Sequence, residues 1–205
     1  MIAIIDYGMG NLFSLSSSLK SLGQDVTVSG DPQVLRDAEK LFLPGVGAFE
    51  DASKRLFQTG LAKVIQDEAA KGKPLMGICL GMQLLFDRSF EYGEWPGLGL
   101  VPGDVVPMEG YVDPSLKIPQ IGWNALHFTG KECPAFKDTN EGDYVYFVHS
   151  YYADKCADYT VATTDYSKTI TAAVSNENVI GCQFHPEKSG AVGLKILKNF
   201  CDMEA

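Results

Sequence analysis

A cysteine with glycines two residues before and two residues after it, Gly77-x-Cys79-x-Gly81, ends an apolar run and opens a helical one. Small residues at those positions let a chain turn sharply from strand to helix and present the central side chain, as in a nucleophile elbow. A thiol so placed sits at a helix N-terminus, where unpaired N–H groups and the macrodipole favour the thiolate. The backbone N–H of Leu80 would face an oxyanion formed on an attacked carbonyl. The same residues also suit a buried structural cysteine packed between two glycines. The elbow therefore needs a base to acquire chemical meaning.

Only three histidines are available. His127, in Asn124-Ala-Leu-His127-Phe, has no charged residue within three positions and reads as a core or surface side chain of a strand. His149, in Phe147-Val-His149-Ser-Tyr-Tyr152, follows an aromatic strand and reads as structural or substrate-facing. His185 differs, because Gly181-Cys-Gln-Phe-His185-Pro-Glu187 places it at the end of a buried strand with an acid two residues on. The fixed φ of Pro186 ends the ladder there and lets His185 and Glu187 lean to one side, the carboxylate holding the imidazole tautomer. Alone, the segment also reads as a strand-end histidine beside a solvated glutamate. Together with the elbow, Cys79, His185 and Glu187 form a candidate nucleophile, base and orienting acid.

Other motifs carry less. Cys182 and His185 have a metal-ligand spacing, but no second local pair accompanies them, so no metal site is expected. Gly45-Val-Gly47 and Gly8-Met-Gly-Asn11 do not complete a phosphate-binding pattern. Gly45 to Gly47 reads either as a tight turn or as the source of a second oxyanion-hole N–H. Leu12, Leu15, Leu19 and Leu22 form a helix face that belongs to the core.

The elements that must hold these groups alternate in period. Strands are predicted over Ile2–Ile5, Gln24–Val28, Lys40–Leu43 and Pro74–Ile78. Between and after them come helices from an Asn11 cap, over Pro32–Ala38, over Phe49–Ala70 with a break near Gly60, and from Leu80 to Phe86. Strand and helix in alternation imply an α/β fold with a mostly parallel central sheet covered on both faces. From Val101 to Asn178 the segments are short, aromatic and broken by Pro, Gly and Asp. Tyr144–Val148, Tyr159–Ala162, Ile170–Val174 and Val179–Phe184 read as antiparallel strands added to the sheet edge or packed on it. A last helix begins near Ser189.

The chain has 205 residues, 45% hydrophobic and 21% charged, which fits one globular domain over 1–205 without repeats or low-complexity tracts. Its 17 basic and 26 acidic residues leave a net charge of −9, against a general nucleic-acid binder and toward a small molecule or a protein partner. No apolar run has membrane-spanning length, and the start, Met1-Ile-Ala-Ile-Ile-Asp6, lacks the basic lead of a signal peptide. Five scattered cysteines without CxxC pairing read as free thiols, so a cytoplasmic location is expected.

The elbow Gly77-Ile-Cys79-Leu-Gly-Met-Gln83 and the run Gln183-Phe-His185-Pro-Glu187 resemble those of class I (triad) glutamine amidotransferases, a flavodoxin-like fold. Pro44-Gly-Val-Gly47, Asp6-Tyr-Gly-Met-Gly-Asn11, Ile118-Pro-Gln-Ile-Gly-Trp-Asn124 and Tyr146-Phe-Val-His-Ser-Tyr151 resemble one branch, the glutaminase subunits of imidazole glycerol phosphate synthase. The resemblance covers essentially the whole chain. Gln120 departs from it, since most members of that branch carry histidine there.

The resemblance implies glutamine hydrolysis through a Cys79 thioester, with His185 relaying protons and Glu187 orienting it. It implies an oxyanion hole from Leu80 and the Val46–Gly47 segment, the latter through a peptide flip. It implies a glutamine pocket lined by Gly47, Gln83, His149, Ser150 and Tyr151. No cofactor is implied. Ammonia would pass to a (β/α)₈-barrel cyclase in a heterodimer that makes imidazole glycerol phosphate and an aminoimidazole carboxamide ribotide, a lyase step of histidine biosynthesis. Asn11, Trp123, Tyr146 and Lys188 become interface candidates, and a chain of this length has room for the glutaminase domain without a fused synthase. The competing readings are a glutaminase of another pathway, such as pyridoxal phosphate synthesis, an unrelated thiol hydrolase, and a non-catalytic module that only binds a partner. The last would be marked by a missing Cys, His or Glu, and all three are present.

Overall fold

The β-branched run Ile2–Ile5 is buried on both faces and forms β1 in the computed structural model, which describes residues 1–204. Helix α1 (Leu12–Ser21) starts where Asn11 Oδ1 accepts the Ser14 N–H. Strand β2 (Val26–Ser29), helix α2 (Pro32–Asp37) and strand β3 (Lys40–Gly45) follow. The expected break near Gly60 separates α3 (Phe49–Gln58) from α4 (Leu61–Ala70), because Gly60 takes the left-handed φ of 76°. Strand β4 (Leu75–Cys79) leads directly into α5 (Leu80–Gln83).

Helix α5 stops well short of the predicted Phe86. The N–H groups of Leu85 and Phe86 bond only three residues back, to the Met82 and Gln83 carbonyls, which tightens the chain out of the α-helix. The carbonyls of Leu84, Leu85 and Phe86 are taken by the N–H groups of Leu98, Leu100, Val101 and Gly99, so no further turn forms. The chain then enters short strands β5 (Arg88–Ser89), β6 (Trp95–Pro96) and β7 (Asp104–Pro107). Next come β8 (Gln120–Ala125), β9 (His127–Phe128), β10 (Tyr144–His149), β11 (Tyr151–Asp154), β12 (Thr160–Asp165), β13 (Thr169–Asn176) and β14 (Val179–Cys182). Helix α6 (Gly190–Cys201) is the last element.

The main sheet has eight strands in the order β2-β1-β3-β4-β14-β13-β12-β9. Its first five strands are parallel and its last three antiparallel. Strand β14, expected as an antiparallel edge strand, instead lies inside the sheet and runs parallel to β4, because its all-apolar residues are buried on both faces. A β10–β8 ribbon and a four-stranded sheet, β11-β7-β5-β6, stand apart from it. Alternation across the buried strands divides the core. Ala3 and Ile5 pack with Leu56 and Ile65 of α3 and α4 on one face, and Ile2 and Ile4 pack with Leu15, Ile196 and Leu197 on the other. All five parallel strands end on one edge, where ligand crevices form in such sheets. Cys79 is the last residue of β4, and β14, its parallel neighbour, delivers His185 three residues beyond its own end.

Candidate active site

Cys79 has φ 55° and ψ −113°, a conformation that non-glycine residues avoid and that persists only where its surroundings impose it. The surroundings here are close-packed backbones. A Cβ on Gly81 would lie 1.8 Å from the Leu43 carbonyl oxygen, and one on Gly77 would lie 2.6 Å from that of Gly81. Gly45 stands opposite Cys79 on β3, where a Cβ would meet the Gly81 nitrogen at 2.8 Å. The glycine pattern thus lets β3, β4 and α5 approach until the thiol projects at the strand ends.

His185 is held from several directions. Its N–H donates to the Tyr146 carbonyl at 2.9 Å, and its own carbonyl accepts the Ser189 hydroxyl at 2.6 Å. The Nδ1–H donates to Glu187 Oε1 at 2.8 Å, with both side chains buried. That fixes the tautomer and turns Nε2, which has no hydrogen-bond partner in the protein, toward the remaining chemistry. Burial alone would lower the imidazole pKa, but Cys79 and Glu187 together outweigh it and raise the value to about 9. The expectation that His185 and Glu187 act as a unit beside the elbow therefore has a direct geometric counterpart.

His149 is treated oppositely. Burial pushes its pKa down to about 4, reinforced by His185 and opposed by the bond from Nδ1–H to the Tyr151 carbonyl at 2.8 Å. The ring is neutral, with its buried Nε2 unpartnered. The Tyr151 carbonyl also accepts from Gln83 Nε2 at 3.1 Å, and the same nitrogen donates to Gln183 Oε1 at 3.1 Å. Gln183 Nε2 in turn points to Cys79 Sγ at 3.9 Å.

A cavity of about 340 Å³ joins these groups. Cys79, Leu80, Gln83, His149, Ser150, Tyr151 and His185 line one part of its wall, Val46, Gly47 and Lys188 another. Every residue expected to bind substrate or form the oxyanion hole is thus brought to one space, while Glu187 lies behind His185 outside it. Val46 and Gly47, with Gly47 at φ 97°, follow the β3 residue that pairs with Cys79. Beneath that turn the Tyr7 hydroxyl donates to the Pro44 carbonyl at 2.8 Å.

The wall also contains Glu91, Pro119 and Val148, which the sequence pattern does not single out. Glu91 is the consequential one, a half-buried carboxylate whose Oε2 accepts the Phe49 N–H at 2.7 Å at the start of α3. Burial raises its pKa against the opposing effect of that bond. No local signal marks it, since the irregular turn between β5 and β6 carries it to the cavity.

Of the interface candidates, Trp123 pairs with Tyr146 across β8 and β10, their rings 5.9 Å apart, and Lys188 Nζ lies 5.9 Å from the Tyr146 ring centre. Trp123 is 52% exposed, beside exposed Ile121. Asn11 begins α1, which packs on the Pro186–Lys188 turn. His127 lies apart, with Nδ1 2.6 Å from Glu141, as a surface side chain. The cysteines other than Cys79 are free and buried outside the cavity. No helix among the described residues is long and apolar enough to cross a membrane.

Residues 3–203 match the family model described as glutamine amidotransferase class-I. The imidazole glycerol phosphate synthase subunit HisH of Caldanaerobacter subterraneus subsp. tengcongensis is 50% identical over 204 residues, 99% of this chain and 98% of that protein. The subunit of the same name from Lacticaseibacillus casei is 50% identical over 99% of this chain and 96% of that protein. Among solved structures, PurLQS from Thermotoga maritima superposes with a TM-score of 0.75 at 22% identity, covering 98% of this chain and 97% of that one. The glutaminase domain of Trypanosoma brucei CTPS, with bound acivicin, gives 0.69 at 17% identity over 100% and 94%. These last two likenesses concern the fold. From the full-length identity and the family match, the chain belongs to the class-I glutamine amidotransferase family, in the branch of the imidazole glycerol phosphate synthase subunits.

Proposed function

We propose that this chain is the glutamine-hydrolysing subunit of imidazole glycerol phosphate synthase and that Cys79, His185 and Glu187 carry the chemistry. The observation that carries the reading is the single cavity in which the strained Cys79 and the Glu187-oriented His185 meet a pocket of amino-acid size. The names of the 50%-identical relatives supply the pathway.

The Cys79 thiolate attacks the side-chain amide carbon of glutamine. A C–S bond forms, and the carbonyl electron pair moves to oxygen, facing the Leu80 N–H and the Val46–Gly47 turn. Collapse expels the amine, which takes the Nε2 proton of His185 and leaves as ammonia. His185, now neutral, draws a proton from water as it attacks the thioester. The C–S bond breaks, glutamate forms, and Cys79 and His185 return to their starting state. Throughout, Nδ1–H stays on Glu187, which stabilises the imidazolium without taking its proton. At the far end of the pocket, the Glu91 carboxylate and the Gln83 oxygen suit an α-ammonium group. Gln83 presents that oxygen because both its amide hydrogens are used elsewhere.

The exposed Trp123–Tyr146–Lys188 face suits docking of the cyclase subunit, to which the ammonia would pass. Cys79→Ala is expected to abolish glutamate release while leaving imidazole glycerol phosphate formation from added ammonium salt intact in the reconstituted pair. Undiminished glutamate release by Cys79→Ala would overturn the assignment, and failure to bind any cyclase subunit would overturn the pathway.

A further inference from the structure

We infer that Gln183 is a catalytic hydrogen-bond donor to the Cys79 sulfur, oriented for that task by a buried hydrogen bond from Gln83. The inference rests on the reading of Cys79 as the nucleophile and adds a group to it.

Backbone register places Gln183 where it is needed. Cys182 pairs with Ile78 in the parallel β14–β4 ladder, so the next residue on each strand, Gln183 and Cys79, stand side by side at the strand ends. The Gln183 N–H is held on the Ala172 carbonyl at 2.9 Å, and the residue has no exposed surface. A fully buried primary amide carries a desolvation cost that only specific partners offset, so its two ends reveal its task.

The amide orientation follows from the one partner that cannot turn. The Tyr151 carbonyl is an acceptor, so the Gln83 group facing it at 3.1 Å is the NH₂. The same NH₂ faces the Gln183 side chain at 3.1 Å, so the Gln183 atom there is its oxygen. The Gln183 NH₂ is therefore the end directed at Cys79 Sγ, at 3.9 Å. Both amides are locked head to tail from a backbone carbonyl to the sulfur.

The sulfur needs that donor most when it is charged. As a thiol, Cys79 lies 3.8 Å from the Val148 carbonyl, which can accept its S–H. Once the proton passes to His185, that carbonyl faces an anion with nothing between them. The His185 Nε2–H also faces the sulfur at that moment but is given up to the leaving ammonia. The Gln183 side-chain amide stays as a donor on the sulfur side throughout. It therefore favours the thiolate over the thiol, and the thiolate over the thioester sulfur, in the deacylation step where the sulfur leaves.

The test is the rate at which iodoacetamide captures Cys79, located by peptide mass, from pH 6 to pH 10 in the full-length protein. Gln183→Met keeps the volume and removes the donor. It is expected to slow capture about tenfold at pH 7. Gln183→Glu keeps the shape and replaces the donor with an anion. It is expected to slow capture at pH 7 at least as much, which a merely space-filling role would not produce, and it carries the test if the Met variant fails to fold. Capture by folded Gln183→Glu at the wild-type rate across this range would overturn the inference while leaving Cys79 as the nucleophile. The prior question, whether Cys79 is the nucleophile at all, is settled separately by glutamate release in Cys79→Ala.

Discussion

Replacing Glu187 by glutamine separates orienting the base from binding the substrate. The carboxylate accepts the His185 Nδ1–H at 2.8 Å with both groups almost inaccessible to water, yet Glu187 does not touch the cavity. A hydrogen bond to a charged group contributes about 1.5–3 kcal/mol, so losing it during imidazolium formation slows turnover about 10- to 150-fold. The neutral amide adds a second fault. If its NH₂ turns toward the ring, Nδ1 must become the acceptor and the proton moves to Nε2, the wrong tautomer for a base. A comparable exchange in a serine protease triad costs about 10⁴-fold, so Glu187→Gln is expected to lower kcat by about 10²- to 10⁴-fold. KM for glutamine should stay within about threefold, because no pocket wall moves. Steady-state glutamate release, measured with the cyclase partner present, reads both constants. A loss confined to KM, or a kcat within threefold of wild type, would refute the reasoning. The variant also has a stability signature. His185 has a folded pKa of about 9 against an ordinary value of 6.5, so its contribution is complete below about pH 6.5 and is lost as pH rises through 9. The stability difference between wild type and Glu187→Gln should therefore shrink over that interval.

His149 gives the opposite slope. Its folded pKa of about 4 lies below the ordinary value of 6.5, so its contribution is present above pH 6.5 and lost as pH falls toward 4, by about 3 kcal/mol over the full range. Urea midpoints of His149→Gln should decline less over that interval than those of wild type; parallel declines would contradict this. Gly81→Ala forces a Cβ to 1.8 Å from the Leu43 oxygen and should cost about 3 kcal/mol or more, whereas Gly60→Ala, at φ 76° with open space around it, should cost about 1 kcal/mol. Equal urea midpoints for the two variants would remove the steric account of the elbow. Trp123→Ala, at a half-exposed position, should change stability by less than about 0.5 kcal/mol but weaken cyclase binding about 30-fold. Unaltered affinity by calorimetry would place the partner elsewhere.

What could be read from the chain beforehand was what is written locally. The elbow shows in its glycines within two residues of Cys79, although only the Gly77 clash, with the Gly81 carbonyl, is local; a Cβ on Gly81 would strike the Leu43 carbonyl of β3. His185 and Glu187 are two residues apart, and Pro186 between them opens the turn that carries both, the β14 ladder having already ended at Cys182. The parallel sheet followed from runs apolar on both faces, as in β1 and β3. The helix after the elbow was overextended because the periodicity of Leu80–Phe86 says nothing about the segment near Leu98 that takes its carbonyls. Glu91 was missed because a loop delivers it, and Gln183 because its significance depends on register with Cys79, 104 residues away. The aromatic strand Tyr144–Val148 was found, but not its departure from the main sheet to pair with β8, since alternation specifies a buried face and not a partner.

That separate ribbon explains how an outer face and a buried triad can be one mechanical unit. Along β10 the side chains alternate, with Phe147 in the core while Tyr144 is exposed and Tyr146 meets the Trp123 ring. Its backbone serves the catalytic edge at three successive points. The Tyr146 carbonyl holds the His185 N–H at 2.9 Å, the Val148 carbonyl faces the Cys79 thiol at 3.8 Å, and His149 enters the pocket wall. Ser189 closes the connection by accepting the Tyr146 N–H at 3.0 Å and donating to the His185 carbonyl at 2.6 Å. A strand with paired hydrogen bonds shifts as a segment more readily than residue by residue, because single displacements leave buried polar groups unmatched. Any contact that moves Tyr146 relative to the main sheet therefore changes the positions of His185 and of the Val148 carbonyl facing Cys79 together. Ser189→Ala tests that link, because it removes the hydroxyl between strand and base while touching neither the cavity nor the outer face.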